Sequence, residues 1–313
     1  MVVITRGISG GFLLGGFKIT GVVSGSGCHG IVFLCRDRNE SLFAMKVERN
    51  RKDMRNDNLA LSDIMAHPSI RLAEDLHIPR LRKAFRANSR EILVMELLGP
   101  DLQTLWNVCG ETFSCKTIIQ IGLSLLTAYE QLHNAGWLHL TTKPENFCIG
   151  GTSATRHKVY LVDFGRAEKY ALTDEDERPN HRPNRKTGYP CCLELYLSPN
   201  LENGDTPSRR DDLLALGLML LRFSGTERPW AKMGFAGKAE WLTYLDMKEQ
   251  PDAFESIITH CQQIGYDEEP NYEHLRDYLR RCAKANNIEL DGKFDWDEYL
   301  EENRTGRVVL KDT

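Results

Sequence analysis

Apolar and turn-forming residues alternate at short intervals in the first part of the chain. Between residues 17 and 47 the runs FKITGVV, GIVFLCRD and LFAMKVE are separated by a glycine cluster and by NES, which predicts an antiparallel meander. A charged stretch from Asn50 to Leu76 reads as helical, and KAFRAN and REILVMELLG add two more strands. Past Gly99 the period lengthens. Ser114 is placed to cap a helix carrying Ile118, Ile121, Leu125, Tyr129 and Leu132 on one face, and Gly136 is placed to end it. The run DDLLALGLMLLRF, Asp211 to Phe223, is apolar nearly all round, the pattern of a helix buried on every side. The elements predict an α+β chain of two lobes. A small antiparallel sheet with one helix spans about residues 14–96, a hinge about 96–100, and a larger, mainly helical lobe about 101–299. Residues 1–13 form an N-terminal extension, and 300–313 a polar tail within a segment expected to be loose from Trp296 onward.

Composition narrows the function classes. A net charge of -4 arises from 40 basic and 44 acidic residues mixed along the chain, so no electrostatic footprint for nucleic acid or an anionic membrane is present. The 9 cysteines are odd in number, scattered, and without metal-ligand spacing, which reads as reduced thiols. No run reaches transmembrane length, and MVVITRGISGGFLL is too broken by glycines for a secretory signal. The expected location is the cytoplasm or the nucleus.

The candidate chemistry begins at GSGCHGIV, where Gly25, Gly27 and Gly30 before Val32 would let backbone amides approach a polyphosphate. A ligand-free hairpin turn has the same appearance. The following run FAMK carries Ala44 and Lys46, whose ammonium on the next strand could reach phosphates held under the glycines. Then come HLTTKPENF, from His139 to Phe147, and VYLVDFG, from Val159 to Gly165. These resemble the catalytic loop HRDxKPxN and the metal loop DFG of the protein kinases, with His139, Lys143, Pro144, Asn146, Asp163, Phe164 and Gly165 matching. The stretches LLGPDLQTLWNVCGETFSCKTI, KVYLVDFGRAEKY, SRRDDLLALG, PNYEHLRDYLR and FDWDEY look like the casein kinase one and tau-tubulin kinase group, over roughly Leu14 to Tyr299.

The resemblance implies a two-lobed fold that binds ATP and magnesium ions, and serine/threonine phosphorylation as the ancestral activity. Matched residue by residue, Asp163 and Asn146 would hold the metals, and Lys46 and Lys143 would lie near the phosphates. Met95 would be the gatekeeper, Glu96 and Leu98 would meet the adenine edge, and Ser24 and Cys148 would stand where aliphatic side chains usually sandwich the base. The expected nucleotide set is therefore Gly25, Gly27, Gly30, Val32, Ala44, Lys46, Met95, Glu96, Leu98 and Cys148.

Several departures matter. Thr141 stands where the family has its base aspartate, and Leu140 replaces the preceding arginine. A neutral hydroxyl is no base near pH 7, and loss of a positioned base removes about 10²- to 10⁴-fold in rate. In TGYPCCLEL, Cys191 takes the place of an arginine that binds phosphorylated substrates; Arg178, Arg182, Arg185 and Lys186 are basic residues nearby. The small-lobe helix offers Asp57 and Asp63 in place of a glutamate to pair with Lys46. His139, Pro144, Phe164 and Asp212 are read as fold supports, Asp212 through the catalytic-loop backbone. The reading is of an ATP-binding pseudokinase serving a protein partner as scaffold or regulator. The alternative is a serine/threonine kinase of reduced or unusual catalysis acting on a protein substrate, and a third reading is a structural domain that binds no nucleotide.

Overall fold

The computed structural model describes residues 12–24, 30–47, 56–88, 90–172, 180–181, 183, 196–225 and 253–302. The alternating runs form a six-stranded sheet: β1 (Leu13–Leu14), β2 (Phe17–Ser24), β3 (Ile31–Arg36), β4 (Leu42–Val47), β5 (Leu81–Ala87) and β6 (Arg90–Glu96). Its order is β1-β2-β3-β4-β6-β5, and each pairing is antiparallel. Alternation along β6 divides its side chains between two cores. Ile92 and Val94 join Phe17, Ile19, Cys35 and Met45 in a small cluster, while Leu93 faces the main core.

The charged stretch after β4 is broken. Helix α1 (Asn56–Ala66) stops before α2 (Pro68–Arg71), because His67 precedes a proline and is held extended at φ -63°, ψ 135°. Residues 50–55 lie outside the described residues.

Beyond β6 the chain is mainly helical: α3 (Leu102–Val108), α4 (Cys115–Asn134), α5 (Pro199–Glu202), α6 (Arg209–Phe223), α7 (Ala253–Gln263), α8 (Tyr272–Ala285) and α9 (Asp297–Glu302). Ser114 caps α4, its Oγ accepting from the Thr117 amide at 3.2 Å, and Gly136 follows the helix with φ 82°. Helix α6 is buried along almost its whole length, and Gly217 lies so close to α7 that a Cβ would meet Ile258 at 2.7 Å. Short two-stranded ribbons complete the lobe. β7 (Trp137–Leu138) pairs with β10 (Glu168–Lys169), β8 (Phe147–Ile149) with β9 (Val159–Leu161), and β11 (Ala171–Leu172) with β12 (Asn180–His181).

The segment expected to be loose after Trp296 starts instead as α9, tied by Glu301 to Arg156 at 2.6 Å. It is anchored from just upstream. Trp296 is fully buried, stacks on Phe294 at 4.6 Å and meets the edge of Phe113 at 5.3 Å. The Asp295 carboxylate accepts the hydroxyl and amide of Ser114.

Candidate functional site

The cleft between the lobes is assembled from turns that the two ribbons present. The β7 strand runs directly into His139, and the residues after β9 are Val162, Asp163, Phe164 and Gly165. The amide of Val162 donates to the Asn146 carbonyl at 2.9 Å, so the two loops are stitched side by side. From the sheet above, Lys46 on β4 reaches across to Asp163, Nζ to Oδ1 at 2.8 Å. Asp163 has φ 67°, a left-handed conformation that an L-residue adopts at a cost and that here turns its carboxylate toward Lys46.

Asp212 on α6 sets the other loop. Its carboxylate accepts the amides of His139 and Leu140, both at 2.8 Å, and faces His133 Nε2 at 3.0 Å. Leu140 is also left-handed, φ 63°, so this carboxylate fixes a strained turn. Burial lowers the pKa of His133 against the opposing pull of Asp212, and the neutral ring donates from Nε2 while Nδ1 takes the Tyr272 hydroxyl at 2.6 Å. Nearby, the buried Thr142 and Tyr129 hydroxyls bond each other at 2.6 Å.

His139 lies wholly inside, edge-on to Phe164 at 5.5 Å. Burial lowers its pKa, so the ring is neutral. Its Nε2 meets the Val162 carbonyl at 3.1 Å, which places the proton there and leaves Nδ1 bare toward Thr141 Oγ1 at 3.3 Å. The Thr141 hydroxyl thus has two acceptors behind it, this nitrogen and the His139 carbonyl at 3.4 Å. Thr141 is 2% exposed. Asn146 donates its Nδ2 to the Thr141 carbonyl at 2.8 Å, which frees its amide oxygen for a cation. One carboxylate and one amide oxygen are hard donors suited to magnesium, which usually takes few protein ligands and completes its shell with phosphate and water. The Lys143 side chain is half-buried and makes no hydrogen bond or ion pair with a described residue.

The other expected nucleotide residues that are described lie on β3, β4, β6 and β8 and in the connections beside them. Ala44 is buried on β4 and pairs across to Met95 on β6, while Val32 pairs with Lys46. Glu96 turns its carboxylate away, accepting the Arg80 amide at 3.0 Å, so only its backbone is left to the hinge. Leu98 follows in a connection tightened by Gly99, whose amide donates to the Ile149 carbonyl at 2.8 Å. Cys148 on β8 bridges to Asp101, and burial drives its thiol pKa far upward. Gly30 is described, at φ 142°, but Gly25 and Gly27 lie outside the described residues, as do the side chains of Ser24 and Asp57 and the basic and cysteine positions from Arg178 to Cys192, Arg182 among them.

Asp63 is not brought to Lys46. Its Oδ2 accepts Trp137 Nε1 at 3.0 Å and Lys169 Nζ at 3.1 Å, because α1 presents this side chain to the β7–β10 ribbon. Sequence reading also missed the tether beside it. The His77 amide donates to Gln131 Oε1 at 3.0 Å, the His77 ring meets the Val159 carbonyl at 2.9 Å, and the Leu161 amide returns to the His77 carbonyl at 2.9 Å. Neither has a local sequence signal, since each joins residues far apart along the chain.

A small antiparallel sheet over a helical lobe, with lysine and aspartate paired in the cleft, is the two-lobed fold of the kinases. The family model described as the protein kinase domain matches residues 20–285, and the chain belongs to that family.

Proposed function

We propose that this domain binds ATP with magnesium in the cleft and acts chiefly as a pseudokinase of the casein kinase one type, a scaffold or regulator for a protein partner. Lys46, Asp163 and Asn146 converge there with the side-chain chemistry that a metal-bound polyphosphate requires. The motifs LLGPDLQTL, SRRDDLLALG and FDWDEY support the branch. The observation that carries the loss of catalysis is Thr141. A hydroxyl stands in place of a carboxylate, and its acceptors lie behind it in the fold rather than in the cleft. It cannot take an acceptor's proton, and the expected deficit is about 10²- to 10⁴-fold.

Purified protein should gain thermal stability with ATP and magnesium yet transfer no radiolabelled phosphate to casein, and Thr141→Asp should restore transfer. Transfer by the unaltered protein that Asp163→Ala abolishes would refute the pseudokinase reading. That second reading, a slow serine/threonine kinase, draws on the otherwise complete arrangement of Lys46, Asp163 and Asn146, because phosphoryl transfer passes through a loose transition state that depends mainly on positioning and charge.

A further inference from the structure

We infer that Asp63 is a positioning residue: it latches helix α1 to the ribbon from which both cleft loops spring, and so holds the nucleotide cleft assembled. The inference rests on the cleft being a nucleotide site. Trp137 and Lys169 are direct cross-strand partners in the β7–β10 pair, and one carboxylate oxygen, Asp63 Oδ2, accepts from both. The consequence lies in where that ribbon leads. Residue 138 is followed at once by His139 of the catalytic loop, and residue 168 stands three places beyond Gly165 of the metal loop. A rotation of α1 away from the large lobe must therefore break a bond to each strand or pull both loops with it.

The latch complements the tether at His77, which fixes the loop after α2 to α4 and β9. Two attachments, one before and one after the break at His67, leave α1 little freedom to swing. Trp137 is 8% exposed, so its indole N–H would be left without this acceptor in a largely dry environment once Asp63 moves. Both partners of Asp63 precede the segment 173–195, so the latch itself calls for no phosphate on that segment.

Asp63→Ala removes both bonds and lets α1 populate open positions, and apparent nucleotide affinity falls with the competent fraction. The expected result is about a tenfold weaker Kd for MgATP in calorimetry, equal to ~1.4 kcal/mol. Asp63→Asn keeps an oxygen for Trp137 Nε1 and loses the ion pair, so its effect falls between; Lys169→Met matches it, and the two together are no worse than either alone. Amide hydrogen exchange across residues 56–66 of the nucleotide-free protein quickens in the same order of variants, with exchange in α6 unchanged. Exchange in α1 that is the same in all variants overturns the latch, whether or not nucleotide binds. Unaltered protein that binds no MgATP, while α1 still loosens in the variants, overturns the nucleotide reading and leaves the latch standing. If Asp63→Ala does not fold, the exposed Lys169→Met variant carries the same comparison.

Discussion

Replacing Asp212 by asparagine keeps its size and removes its charge. The carboxylate now accepts from the His139 amide, the Leu140 amide and His133 Nε2, at 2.8, 2.8 and 3.0 Å, and all three donors are buried. An asparagine has one accepting oxygen, so its NH2 group must face at least one of those donors. Each charge-assisted bond contributes about 1.5–3 kcal/mol, and a buried donor left without a partner costs about 1–3 kcal/mol. Leu140 adds a conformational term, because at φ 63° it is held in a region that costs ~1–2 kcal/mol for an L-residue. The expected loss is about 3–5 kcal/mol of unfolding free energy, a large share of the ~5–15 kcal/mol typical of a folded protein. Urea unfolding followed by circular dichroism at pH 7.5 measures it, with ATP-induced thermal stabilisation as the second readout. A loss under about 1 kcal/mol with nucleotide stabilisation intact would refute the argument that this carboxylate holds the catalytic loop.

The buried imidazoles and the hinge each give a further expectation. Burial holds the pKa of both His133 and His139 below the ordinary imidazole value of 6.5, so the unfolded chain binds protons that the folded chain refuses. Unfolding free energy should be flat above that value and fall as pH drops below it, by up to ~1.4 kcal/mol per pH unit for each ring; urea midpoints at pH 7.5, 6.0 and 5.0 test this, and a His133→Gln variant should show the shallower slope. At the hinge, Gly151→Ala would put a Cβ 2.0 Å from the Leu97 carbonyl oxygen, so this exposed glycine should be intolerant of a methyl group. Overpacking against backbone costs about 1–3 kcal/mol, read as a lowered melting temperature; MgATP affinity should fall as well, and an unchanged protein would show that the connection yields freely.

What could be read from the sequence was what the chain fixes locally. Strand alternation placed the five main strands of the sheet, and a capping serine before a periodic face placed α4. Lys46, Asn146 and Asp163 were named through the resemblance of FAMK, HLTTKPENF and VYLVDFG to the kinase motifs, and the structure brings Lys46 and Asp163 together at 2.8 Å. Whether Asp57 or Asp63 faces Lys46 was left open by the sequence, because helical periodicity does not fix how α1 is rotated. That depends on the halt at His67, on the His77 tether, and on Trp137 and Lys169, which lie 74 and 106 residues away. The inward turn of the Thr141 hydroxyl was equally hidden. It follows from the tautomer of His139, which the Val162 carbonyl selects from 23 residues downstream. Polarity also misled beyond Trp296, where α9 forms because the buried indole just before it supplies an anchor that composition does not register.

That indole sets a schedule for synthesis. Phe113 and Ser114 meet their distant partners Trp296 and Asp295 only late in synthesis, since Ser114 and Asp295 are 181 residues apart. At about 5–20 residues per second, a ribosome spends roughly 9–36 seconds between making the two halves of that contact. Until Trp296 emerges, Phe113 can pack on Phe223 but keeps open the side that the indole covers. A chain cut short just before residue 294 would carry most of the cleft described above, yet leave Phe113 permanently without its Trp296 neighbour, an apolar opening of the kind that chaperones and proteases act on.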